Sequence, residues 1–189
     1  MKKLTILFAA VMFSITAAFS QPVSDMGIIP VGVTLNSILR LNITNGGSIE
    51  YVVNTMDQYT TGVSNSPGYT TTFTVASSVD FNVNLYADNS QFTGVDVAGL
   101  GANTMPLDHL AYFLTDVGGS GATLTPANPG FADLAQASST IVAGPAGDIV
   151  TNQYSVSWEL GTGNTSAGSV LGLAADRYVV NVFLELQPQ

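Results

Sequence analysis

Imidazole, thiol and charged side chains, which activate most catalytic nucleophiles, are scarce in this 189-residue chain. It holds one histidine, four lysines and arginines together, thirteen aspartates and glutamates, and no cysteine. His109 stands in Pro106-Leu107-Asp108-His109-Leu110. An imidazole can serve as general base to a serine, but no G-x-S-x-G turn and no H-E-x-x-H helix accompanies it. Triads assemble in space, so a Ser–His–Asp arrangement stays open beside a surface or half-buried histidine. Paired carboxylates could hydrolyse a glycoside. The glutamates Glu50, Glu159 and Glu185 fall instead at outward positions of expected strands, where they read as solvated charge on a sheet face. The missing cysteine removes disulfides, thiolate metal sites and a Cys nucleophile. No catalytic residue is assigned and no cofactor is expected, with calcium the one ligand the remaining acids suit. Asp88-Asn89-Ser90 with Asp96, and Asp116 near Gly118-Gly119, offer loop carboxylates for it. Neither has the D-x-D-x-D-G spacing, and solubilising charge is the competing reading.

The charges are unevenly placed. Lys2 and Lys3 precede an apolar run over residues 4–19 that ends in Ala17, Ala18 and Ser20. A basic start, a short apolar stretch and a small-residue end predict a secretory signal peptide over 1–20, with a membrane anchor as the alternative. The protein is therefore expected to be secreted, in the extracellular space or on the cell surface. The mature part, 21–189, keeps Arg40 and Arg177 against thirteen acids, a formal charge of −11 with no lysine. That balance argues against nucleic acid and anionic membranes as partners, and Schiff-base chemistry is excluded. No membrane insertion is expected after leader cleavage.

The elements that would position these residues are strands. Thr, Ser, Asn, Gly and Val dominate, a strand-and-turn vocabulary. Period-2 alternation is clearest over 79–88, with Val79, Phe81, Val83, Leu85 and Ala87 on one face and Asp80, Asn82, Asn84, Tyr86 and Asp88 on the other. It recurs over 37–44, 69–76, 153–160 and 178–186, and 107–115 is more uniformly apolar. Residues 45–48, Asn-Gly-Gly-Ser, predict a turn that returns as a strand over 49–54, completing a hairpin. A short helical turn is predicted over 130–136. About eight strands separated by Gly-, Ser- and Asn-rich turns predict an all-β, antiparallel sandwich in a single domain over 21–189, Ig-like or jelly-roll-like.

Two resemblances sharpen this. Leu173-Ala174-Ala175-Asp176-Arg177-Tyr178, followed by Val180, Val182 and Leu184, resembles the entry to a late strand of Ig-like domains. It implies that Tyr178 is a structural corner residue bonded to backbone upstream. The cysteine found two residues later in those domains is replaced by Val180. Gly46-Gly47, Pro106-Leu107, Trp158 and the stretch 173–182 are similar to secreted bacterial β-sandwich proteins of the spore-coat-U-like and pilus-subunit-like group. That similarity implies an extracellular structural or adhesive subunit. Trp158-Glu159-Leu160 also matches the W-x-L motif of cell-wall-binding domains, but their second motif is missing and an inward, structural Trp158 accounts for the pattern.

Residues 27–34 bear on assembly. Ile28, Ile29, Val31 and Val33 are apolar, Pro30 keeps the segment extended, and no lysine guards an edge. Residues 21–36 are either an edge strand of their own sandwich or a donor strand that completes a neighbour's sheet. The expected function is a non-catalytic structural or adhesive subunit, self-associating or bound to other surface proteins. The alternative is a carbohydrate-binding module with glycan partners, the flat polar rows Thr70/Thr72/Thr74 and Asp80/Asn82/Asn84 being suited to sugars and Tyr86 and Phe183 the aromatics out of phase with the core.

Overall fold

The computed structural model describes residues 29–97 and 103–189. The chain divides into two units, Met1–Leu35 and Asn36–Gln189. Of the first, residues 29–35 are described. They carry neither helix nor strand, and Ile29, Val31, Val33 and Leu35 are 78–89% exposed. The expected leader over 1–20 and Ile28 lie outside the described residues.

The second unit is all-β. Its described strands are β1 (Leu39–Asn45), β2 (Thr70–Ser77), β3 (Phe81–Ala87), β4 (Gln91–Gly94), β5 (Thr104–Pro106), β6 (Leu110–Asp116), β7 (Thr123–Leu124), β8 (Ala132–Asp133), β9 (Ser139–Gly144), β10 (Gln153–Leu160), β11 (Tyr178–Val179) and β12 (Val182–Pro188). One sheet runs β1-β2-β10-β6-β8 and a second runs β12-β3-β9-β7, with a short third sheet β11-β4-β5. Every paired strand is antiparallel. The two larger sheets enclose a shared core, the sandwich predicted from alternation.

That alternation decides what is buried. In β3, Phe81, Val83, Leu85 and Ala87 are buried, while Asn82, Asn84 and Tyr86 point to the other face. The facing sheet contributes Phe73, Val75, Leu114, Tyr154 and Val156. Each such side chain adds about 1.5–3 kcal/mol on leaving water. Polar groups that enter this core are paired. The Trp158 indole donates to Thr71 Oγ1 at 3.1 Å, and that hydroxyl donates to the Gly46 carbonyl at 2.8 Å. Asn152, fully buried, donates to the Pro145 carbonyl and accepts from the Tyr154 hydroxyl.

Two local predictions are corrected, and two elements form that the pattern did not indicate. The hairpin over 37–54 does not form, because β1 pairs with β2 and residues 46–54 carry no strand. Ile49, Tyr51 and Val53 still alternate inward and are half-buried, so they have the side-chain pattern of a strand without its ladder. The helical turn expected over 130–136 is absent, and β8 lies there instead. The helix that does form, α1 (Met56–Thr61), starts with a capping box, Thr55 and Gln58 each bonding the other's backbone amide. Strand β9 was not anticipated. It carries a bulge opposite β3, which leaves Ile141 and Val142 adjacent and both buried, and that breaks the period of two.

Gly46 ends β1 with φ +65°, and a Cβ there would run into the Thr70 carbonyl. Gly46→Ala is expected to destabilise the fold by about 1–3 kcal/mol, read by urea denaturation. Gly47→Ala, where a Cβ meets open space bounded by Ile43, is the control and is expected to change little.

Candidate functional site

The core is sealed where β3, β9 and β10 meet it, but not between the outer strands. β1 and β12 stand at the edges of the two sheets, and their inward residues, Leu39 and Leu41 on one and Val182, Leu184 and Leu186 on the other, are only half-buried. Where residues 43–53 leave the end of β1 and residues 173–184 lead into β12 lies a groove of about 700 Å³. Its floor is apolar, formed by Leu85, Leu110, Trp158 and Leu160. One wall is built from residues 43–53 and carries Ile43, Ile49, Tyr51 and Val53. The other is built from residues 173–184 and carries Leu173, Tyr178, Val182 and Leu184. The second wall includes part of β12, an edge strand whose outer backbone N–H and C=O groups have no ladder partner among the described residues, and the first begins at Ile43 near the end of the edge strand β1. At the rim, Arg177 Nε lies 3.9 Å from Glu50 Oε1, both side chains well exposed.

Two tyrosines shape the walls. Tyr178 donates from its hydroxyl to the Ala174 carbonyl at 2.8 Å. Tyr51 stacks on Tyr69 with ring centroids 4.2 Å apart. Burial, then the neighbouring Tyr69 and Glu159, push the Tyr51 phenol far up, so it stays protonated. Its hydroxyl is buried without a hydrogen bond among the described residues.

The carboxylates are engaged elsewhere. Glu159 is not solvated as parity suggested. It is 4% exposed, and its Oε2 accepts from Thr162 Oγ1 and Asn164 Nδ2, both at 2.8 Å. The segment 62–65, bridged to Leu160 through Val63, and the turn over 162–165 fold across this part of the sheet. Glu50 and Glu185 are exposed. His109 is buried, with Nδ1 3.1 Å from the Gly168 carbonyl. Of the loop aspartates, Asp88 accepts from the backbone and side-chain amides of Asn181 at 3.1 and 2.7 Å. Asp116 accepts from the Gly119 and Gly121 amides and the Ser120 hydroxyl. The Asp96 amide donates to Asp176. Among the described residues no group of three or more His, Asp or Glu is placed to hold a metal ion. Thr71 and Thr74, on the strand read as a polar row, are buried.

Asp176 was missed from sequence. Its Oδ1 accepts from the amides of Asp96 (2.8 Å), Val97 (3.3 Å) and Arg177 (2.7 Å), and its Oδ2 from Asn103 Nδ2 (2.8 Å). It thereby ties the β4–β5 connection to the lead into β11. The Asp96 amide above all, then the Asn103 side chain, holds its carboxyl below the ordinary value. Asp148 is held low in the same way, chiefly by the Thr151 amide. A carboxyl whose pKa is lower folded than unfolded stabilises fully above its unfolded value, about 3.9, and loses that contribution as pH falls through the folded value. Thermal stability is therefore expected to hold from neutrality down to about pH 4 and to decline below it. Asp176→Ala is expected to flatten the decline, as followed by melting temperature against pH.

Among the described residues no helix is long and apolar enough to cross a membrane. In comparisons with known proteins, no family model matches the chain and no curated protein matches it.

Proposed function

We propose that this protein is a secreted, non-catalytic structural or adhesive subunit of a bacterial cell-surface or extracellular matrix assembly, joined to its neighbours by β-strand addition. The observation that carries this is the open groove with an apolar floor that borders the unpaired edge of β12 and the end of the edge strand β1. A second feature supports it: the same chain carries Ile29, Val31, Val33 and Leu35 at strand period, all exposed. A strand from one subunit laid in the groove of the next would bury four side chains and pair with free backbone groups at once. Side-chain burial supplies about 1.5–3 kcal/mol each, against an association cost of about 4–15 kcal/mol. Burial alone therefore about breaks even, and backbone pairing tips the balance. Such contacts are heterologous, so they propagate into filaments. The basic, apolar and small-residue pattern over 1–20 supports export.

Negative-stain microscopy and sedimentation velocity of the mature chain, with and without calcium, test the proposal. Filaments or a ladder of oligomers are expected. Monomers alone at high concentration in both conditions count against it.

A further inference from the structure

We infer that the outer face of β3 and β12 is a binding site for a neutral polysaccharide, with the Tyr86–Phe183 pair as its platform. The inference rests on the reading of the protein as an extracellular adhesive subunit and names what it adheres to. β12 pairs with β3 so that Phe183 lies opposite Tyr86, Glu185 opposite Asn84 and Gln187 opposite Asn82. The register continues past the strand ends, where the Asp88 amide donates to the Asn181 carbonyl. Successive outward pairs along the ribbon are about 7 Å apart, twice the rise per residue. One aromatic step therefore lies between two polar ones, Asp88/Asn181 on one side and Asn84/Glu185 on the other.

The aromatic step is accessible. The two rings lie 5.4 Å apart at 27°, and Phe183 is 46% exposed on a face otherwise made of amides and acids. Beyond it, a cleft of about 210 Å³ is lined by Asp88, Asn89, Thr93 and Asn181 together with valines. A pyranose ring presents an apolar C–H surface, which suits an aromatic ring, and a rim of hydroxyls that both donate and accept. Glu185 accepts from such hydroxyls. Asn84 Oδ1 already accepts from Thr140 at 2.8 Å, which leaves its amide hydrogens as the donors it can offer. Asp88 is held by Asn181 on both carboxylate oxygens and keeps further lone pairs. Charge selects the class of glycan. This face carries Glu185 and Asp88 and no base, and residues 21–189 carry −11, so uronate- and sulfate-bearing chains are repelled.

Native affinity electrophoresis in gels containing a soluble β-glucan, a mannan, a xylan or, as the anionic counterpart, an alginate tests the site. At least one neutral polymer is expected to retard the protein, and the alginate is not. Phe183→Ala and Glu185→Gln are each expected to weaken retardation by about tenfold, with circular dichroism unchanged for the Glu185 variant. A chain carrying Val31→Asp should be retarded as the unmodified protein is, and because Phe183 also borders the groove whereas Glu185 does not, Glu185→Gln is the variant that separates this site from assembly. The inference is overturned if no neutral polymer retards the protein, if alginate does so instead, or if both variants bind as before.

Discussion

A chain carrying Val31→Asp and Val33→Asp is expected to fold as the unmodified protein does and to stay monomeric where that protein assembles. Both valines are exposed, at 83% and 78%, and belong to the unit that precedes the sandwich. In a neighbour's groove each would instead rest on a floor of Trp158, Leu160, Leu85 and Leu110. Aspartate there forfeits about 1.5–3 kcal/mol of apolar burial and adds several kcal/mol for a carboxylate without a partner. The acids on the groove rim add repulsion, with Arg177 already close to Glu50. With each 1.4 kcal/mol worth about tenfold in affinity, the pair removes assembly at any accessible concentration. Sedimentation velocity reads the loss, and an unchanged thermal melt shows that folding is intact. Assembly at the original concentration would show that residues 29–35 are not the joining strand.

Phe73→Ala is expected to cost about 3–5 kcal/mol, a large share of the stability of a domain this size. Phe73 is wholly buried at the centre of β2, opposite Ile43 on β1 and Tyr154 on β10, with its ring 5.5 Å from that of Tyr154. Truncation empties a space walled by two sheets that cannot both close on it. Urea unfolding should show the midpoint fall without a change of slope. Phe183→Ala, which removes an aromatic of the same type from an outer face, is expected to cost about 1 kcal/mol or less. Equal losses at the two positions would contradict the assignment of inner and outer faces.

The contrast between these phenylalanines was legible in the sequence. Parity along 79–88, 153–160 and 178–186 assigned β3, β10 and β12 to their faces, because one buried and one wet face impose a period of two. Parity reports which side of the ribbon a residue takes and nothing of what covers that side. Parity therefore makes Glu159 solvated, whereas the segment 62–65, bridged to Leu160, and the turn over 162–165 close over it. Residues 49–54 failed for the complementary reason. Ile49, Tyr51 and Val53 alternate because one side faces the core, but alternation does not require a hydrogen-bonded neighbour. The groove itself left no local trace, since its walls lie more than a hundred residues apart in the chain and its floor is ordinary core. Asp176 had a faint signal, an aspartate just ahead of an extended run, where carboxylates often bind backbone amides. Nothing in the sequence says which amides are gathered there.

The most direct measurement of strand addition uses the absence of cysteine from the native chain. A chain carrying both Val33→Cys and Leu184→Cys places one thiol on the exposed segment and one on the groove wall. After oxidation and denaturing electrophoresis without reductant, the account predicts a ladder of covalent multimers that collapses on reduction. The same ladder should be absent when Leu184→Cys is exchanged for Glu185→Cys on the opposite face. A product of monomer size with altered mobility, in which the two thiols have joined within one chain, would contradict it.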